Sequence, residues 1–193
     1  GCDVFLHYHS GEEGPQALAA IASSRGQKAA WRYADLIDTE DATACVQAAA
    51  EFLGGIDILV NNVGGIVGRK WLGEIDRQFW QTVLDVNMTT MLNVTQAALP
   101  WLKSATDGAS IINLASLAGR SGGHAGSLAY STTKGAILTW TRSLAAELGE
   151  HGVRVNAVAP GLILGTRFHN RHTTQASADE TIRQIPLKRA GTP

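Results

Sequence analysis

Two rhythms of apolar residues alternate along the chain. Short segments at 4–9, 27–33, 56–60, 110–114 and 153–158 read as strands, the first with Val, Phe, Leu and Tyr almost in succession. Between them, apolar residues recur with helical spacing at 15–24, 42–52, 76–103 and 128–148. Ser10-Gly11, Gly54-Gly55 and Pro160-Gly161 break the pattern. Thr39 or Asp38 caps the second helix, and Pro100 is an interior blemish near the end of the third. Strand and helix alternate throughout. This predicts an α/β fold, a doubly wound Rossmann-type parallel sheet in a three-layer αβα arrangement. Right-handed crossovers place ligands beyond the carboxyl ends of the strands, so the residues after each strand become the candidates for function.

Residues 162–190 depart from the rhythm. They hold Thr166, the Thr173-Thr174 pair, Gly165, Pro186 and one short helical stretch. The segment is either a mobile substrate-side flap over the cleft or a frayed end. No repeat, low-complexity tract or linker divides the chain, which reads as one incomplete domain over 1–193.

Composition narrows the class. With 45% hydrophobic and 17% charged residues, the chain is expected to be globular rather than disordered. A formal net charge of −1 gives no basic field for nucleic acid or an anionic membrane. No apolar run reaches the ~18 residues of a membrane span. Cys2 and Cys45 lack metal-ligand spacing and read as free thiols of a reducing cytoplasm. His7, His9 and His124 are scattered, and no metal site is expected.

The chemistry centres on Tyr130 and Lys134, four residues apart and therefore on one helix face. A phenol titrates near pH ~10, and a nearby ammonium favours the phenolate. The pair reads as a tuned proton donor, although such a spacing arises by chance with odds of roughly one in five. Ser116 follows the fourth strand, fourteen residues before Tyr130, where its hydroxyl can hold a carbonyl oxygen beside the phenol. Asp35, after the second strand, either accepts from an adenine amino group or caps the next helix. Asn61-Asn62-Val63-Gly64 follows the third strand; the Asn pair either pins neighbouring strands or makes a plain turn. Asn87 sits in the middle of a helix. Its side chain either turns to solvent or holds a water in a helix break near Lys134.

Asn61-Asn62-Val63-Gly64, Asn87, Asn113-Leu114-Ala115-Ser116, Tyr130-x-x-x-Lys134 and Pro160-Gly161 stand in the order and spacing of the short-chain dehydrogenase/reductase family. The chain resembles that family over nearly its whole length. Within it, the likeness is strongest to 3-oxoacyl-acyl-carrier-protein reductases, while Leu6-His7-Tyr8-His9-Ser10 also resembles pteridine reductases. The resemblance implies hydride transfer between a nicotinamide cofactor and a carbonyl/alcohol pair. It makes Tyr130 the proton donor and Ser116 the holder of the substrate oxygen. Lys134 would bind the nicotinamide ribose and lower the Tyr130 pKa, and Asn87 would position a relay water. Asp35 and Leu36 would flank the adenine, Asn62 and Gly64 would lie beneath the cofactor, and Ile163 would meet the carboxamide through its backbone.

An acidic residue after the first strand would favour NAD. Tyr8, His9 and Ser10 stand there, with no carboxylate until Glu12, so NADP(H) is expected, with His9 and Ser10 as phosphate contacts. The family's Gly-x-x-x-Gly-x-Gly turn does not precede Val4, and the chain reads as lacking the first βα unit and the last strand. The strands at 4–9 and 56–60 are then each expected to lack a ladder partner. The chain alone is expected to bind cofactor poorly. The interval from Pro160-Gly161 to Thr166 is one residue longer than usual, which leaves Thr166 in question as a contact. Two rival readings follow. One is a pteridine- or quinone-type reductase. The other is a non-catalytic fragment whose Met88, Met91, Leu92, Trp101, Trp140 and Leu144 would allow packing against partner chains, although core packing explains them as readily. The resemblance implies a homodimer or homotetramer for the complete protein.

Overall fold

The computed structural model describes the backbone of residues 1–193 and all side chains except those of Arg167 and Arg171. The elements run β1 (Val4–Tyr8), α1 (Glu13–Ser24), β2 (Ala29–Tyr33), α2 (Thr39–Leu53), β3 (Ile58–Asn61) and α3 (Arg77–Leu84). A π-helical turn (Asp85–Thr89) leads into α4 (Thr90–Ser104), followed by β4 (Ala109–Leu114), α5 (Ala118–Ser121), α6 (Leu128–Leu148), β5 (Val153–Val158), α7 (Arg167–His172) and α8 (Gln175–Gln184). Asp38, not Thr39, caps α2 by accepting from the Asp41 N–H at 2.8 Å. That helix ends at Gly54, whose φ of 81° lets its N–H close on the Ala50 carbonyl. Asp76 caps α3 through the Phe79 N–H at 2.7 Å.

All strand pairs are parallel, as alternation requires, but the sheet is in two pieces. One is β1–β2 and the other is β3–β4–β5. No ladder joins β1 to β3, as expected with no strand of this chain between them. On β3, Ile58 and Val60 are each 52% exposed, so one face of that strand is uncovered. The three-stranded sheet carries the main core, where Ile111 and Val155 meet Ala98 and Leu102 of α4 and Leu148 of α6. A smaller core joins Ala34 and Leu36, after β2, to Ala42 and Cys45 of α2. The two pieces are tied by a polar link: Asn93 of α4 donates to the Leu36 and Ile37 carbonyls at 3.0 and 3.1 Å.

Two expectations need correction. The helix at 76–103 is not continuous, because the π-turn interrupts it at the buried Asn87. Residues 162–190 are more helical than the Thr-rich composition suggested, since Thr166 and Thr174 each cap a helix. Nor does the segment fray. Ile163 bridges Gly191, with Leu164 N–H to Gly191 O at 3.0 Å and Gly191 N–H to Leu162 O at 2.9 Å, closing its base. Several of the apolar residues named for a helix interface also pack within the chain. Met91 is buried with Met88 and Trp140 against it, while Trp101 and Leu144 pack on the main core. Among the described residues, no helix is long and apolar enough to cross a membrane.

Candidate active site

The carboxyl end of the three-stranded sheet is braced from within. Asn61, last in β3, donates to Asn113 Oδ1 of β4 at 2.9 Å and to Thr95 of α4 at 3.0 Å. Asn113 in turn donates to Thr141 of α6 at 3.0 Å. Both Asn residues are buried, so each needs these partners. The ladder fixes β3 and β4 against α4 and α6, just where the chain leaves the strands. The Asn61 side chain is therefore a strand pin rather than part of a plain turn.

Nearer the start of α6, Tyr130 and Lys134 face the loop after β4. Lys134 is only 4% exposed, and its ammonium donates to the Leu114 carbonyl at 2.7 Å. Burial lowers its pKa from 10.5 to about 8. The Ser116 hydroxyl, whose Oγ accepts from the Ala118 N–H at 3.1 Å, stands near the Tyr130 phenol and favours its phenolate. Here the expected electrostatics are reversed. Burial pushes the phenol above its ordinary pKa of 10.0, and the lowering contribution comes from Ser116 rather than Lys134. The reason is orientation: the ammonium is engaged by Leu114 and sits 5.8 Å from the centre of the Tyr130 ring.

Asn87 neither turns to solvent nor stands alone in its helix. Its Nδ2 donates to the carbonyls of Val83 and Gly65, and its Oδ1 accepts from the Gly65 N–H, all at 3.0 Å. The wide π-turn is what aims the carboxamide sideways at Gly65. Beside it, Gly64 is exposed and has a φ of 151°. A Cβ at Gly64 would lie 2.8 Å from Asn87 Oδ1 and 3.1 Å from Lys134 Nζ, so only glycine keeps this hollow open. Gly119 plays a similar part behind the site. A Cβ there would lie 2.5 Å from the Lys134 carbonyl carbon and 2.6 Å from the Gly135 nitrogen, so α5 seats backbone-close on α6.

The structure thus brings Ser116, Tyr130, Lys134, Asn87 and Gly64 together. The 160s join them, since Leu117 N–H bonds Pro160 O at 2.9 Å. The Ile163 carbonyl accepts from the Thr166 hydroxyl at 3.1 Å, and its N–H has no protein acceptor among the described residues. Thr166 is occupied as the α7 cap. The other candidates lie along the two-stranded sheet. His9 and Ser10 are exposed at the end of β1, with the His9 ring stacked on Tyr33 at 5.8 Å. Asp35 is not a helix cap; its carboxylate accepts from the Ile37 N–H at 3.0 Å. Leu36 buries its side chain in the core and leaves only main chain for a ligand. Asn62 is exposed.

Sequence reading missed Phe168, whose ring centre is 6.0 Å from that of Tyr130. Its cue was an aromatic residue two positions after a capping Thr. It also passed over the Leu114 carbonyl, which no side-chain pattern could signal. A hollow of about 540 Å³ lies on a neighbouring stripe of α6, bordered by Leu128, Ser131, Gly135 and Trp71, and does not include the Tyr130–Lys134 face. Among the described residues, no group of three potential metal ligands is gathered.

Comparison with known proteins agrees with this geometry. A family profile described as enoyl-(acyl carrier protein) reductase matches residues 1–193. A 3-oxoacyl-[acyl-carrier-protein] reductase of Staphylococcus aureus (strain Mu50 / ATCC 700699) is 33% identical over 99% of this chain and 76% of its own length. The NADH-dependent reductase A1-R′ in complex with NAD superposes with a TM-score of 0.83 at 29% identity, over 98% of this chain and 73% of the other. A blue fluorescent protein from a metagenomic library, in complex with NADPH, gives 0.86 at 30% identity, over 98% and 75%. The chain is shorter than these relatives and spans about three quarters of their length. It belongs to the short-chain dehydrogenase/reductase family of NAD(P)-dependent oxidoreductases.

Proposed function

We propose that the chain carries the reactive centre of an NADP(H)-dependent reductase that interconverts a carbonyl and an alcohol, with a 3-oxoacyl-type compound as substrate. The observation that carries this reading is the Ser116–Tyr130 hydroxyl pair set beside a buried ammonium. The hollow at Gly64, which a Cβ would fill, and the free Ile163 N–H fit a nicotinamide held between them. When bound, that cofactor supplies or removes hydride. The protein's own residues do the rest. Ser116 holds the substrate oxygen by hydrogen bond, and Tyr130, kept protonated by burial, donates its proton to that same oxygen. Lys134, with a pKa of about 8, is mostly charged at pH 7 and presents a cation next to Gly64. Asn87 fixes Gly65 and so the floor of the hollow. Asn62 and Gly64 would lie beneath the cofactor and Asp35 and the Leu36 main chain beside the adenine, with residues 162–190 as the substrate-side wall.

NADP(H) is favoured because Tyr8, His9 and Ser10 bring no carboxylate to the end of β1. The first one that follows, Glu12, is engaged by the Trp31 indole N–H at 2.5 Å. The NAD- and NADPH-bound relatives leave the choice to such local residues. The test is Tyr130→Phe in the longest reading frame containing this chain, following NADPH oxidation with a 3-oxobutanoyl thioester. Loss of a general acid is expected to cut kcat by about 10²-fold or more. Turnover surviving within a few-fold removes Tyr130 from the mechanism, and faster turnover with NADH refutes the cofactor assignment.

A further inference from the structure

We propose that Phe168 is a specificity-determining residue of the Tyr130 site, favouring carbonyl compounds whose substituent is flat. The inference rests on Tyr130 being the proton donor. Phe168 lies in the first turn of α7, and its ring is tilted 36° to that of Tyr130 with 6.0 Å between centres. The imidazoles of His169 at 5.0 Å and His172 at 5.4 Å also flank it. Four rings thus form one wall that begins at the reacting hydroxyl's own ring.

The wall is held from three directions. Thr166 caps α7 through the His169 N–H, and the Ile163–Gly191 bridge closes the base of the segment. The Arg69 guanidinium spans from the Ala125 carbonyl, at 3.1 Å, to the His172 carbonyl at 3.5 Å. That places the ring by backbone contacts rather than by chance packing. Burial and the neighbouring His172 hold His169 below its ordinary pKa of 6.5, and its Nδ1 pairs with the Thr173 hydroxyl at 2.9 Å. Lys134 is committed to Leu114 and Arg69 to two carbonyls. A flat π-surface gains by offset or edge contact with Phe168. An aryl ring and the planar thioester of a 3-oxoacyl chain share the favoured property.

The test compares acetophenone with cyclohexyl methyl ketone, equal in carbon count but flat and puckered respectively. The kcat/KM ratio of the two is measured for wild type, Phe168→Ala, Phe168→Leu and Phe168→Tyr, so that intrinsic reactivity cancels between variants. An aromatic contact is worth a roughly five- to ten-fold change in that ratio. The ratio is expected to fall by that factor in the Ala and Leu variants, mainly through KM for acetophenone, and to stay near wild type in the Tyr variant. Leu keeps an apolar side chain of similar bulk, so a folding defect confined to Ala does not decide the matter. Equal losses for both ketones, or an unchanged ratio, overturn the proposal. If Tyr130→Phe remains active the underlying mechanism fails instead, whatever the Phe168 ratios.

Discussion

Lys134→Met keeps a long unbranched side chain and removes the charge, and its effect should depend on pH in a calculable way. Burial holds the Lys134 pKa at about 8, against 10.5 for the free group. At about 1.36 kcal/mol per pKa unit, that gap is worth on the order of 3 kcal/mol. Below about pH 8 both folded and unfolded chains carry the proton, and the folded chain bears the full cost of a buried ammonium. Between about 8 and 10.5 the unfolded chain holds more protons than the folded one, so stability rises with pH. Above 10.5 both are neutral and the cost is gone. The methionine variant has no such rise. Cys45, whose thiol burial pushes above 9.0, contributes an opposite slope, but it does so in both proteins and drops out of the difference. Urea unfolding at pH 7, 8.5 and 10.5 measures the gap. Wild type should gain about 2–3 kcal/mol on the variant across that range. A gap that does not change with pH would mean that Lys134 is far better solvated than its 4% exposure implies.

Two further substitutions, each with a control, test the scaffold. Gly119→Ala drives a methyl to within 2.6 Å of the α6 backbone and should cost about 3 kcal/mol in urea unfolding. Gly73→Ala, with nothing within 4 Å of its added carbon, should stay within about 0.5 kcal/mol. Asn113→Ala removes the middle of the buried amide ladder and should cost about 2–3 kcal/mol by the same measurement. The exposed Asn62→Ala should be nearly silent.

The helix carrying Tyr130 and the strand after it were legible to the residue, α6 at Leu128–Leu148 and β5 at Val153–Val158. Strong apolar pattern between glycine and proline breaks leaves little room for error there. What the sequence concealed was mostly direction. The Tyr130–Lys134 spacing placed the two on one face but said nothing of where the ammonium points, and the Leu114 carbonyl decided that. Asn87 was visible as an oddity in a helix, yet a π-turn leaves no residue signature of its own. Leu36 was expected beside a ligand, and hydrophobicity drew its side chain inward. In α7 and α8 the signal was present but discounted. Thr166 and Thr174 read as irregular composition, although each stands three residues ahead of the N–H that it caps. Phe168 was overlooked with them.

The widened turn at Asp85–Thr89 has a bearing on how this site can be lost. Such a turn stores one surplus residue within an otherwise regular helical rod. Deleting a single codon there would let α3 and α4 fuse without disturbing either flanking core. The carboxamide now clasping Gly65 would swing out of phase. A descendant altered in this way would inherit the architecture and give up the grip on the loop after β3.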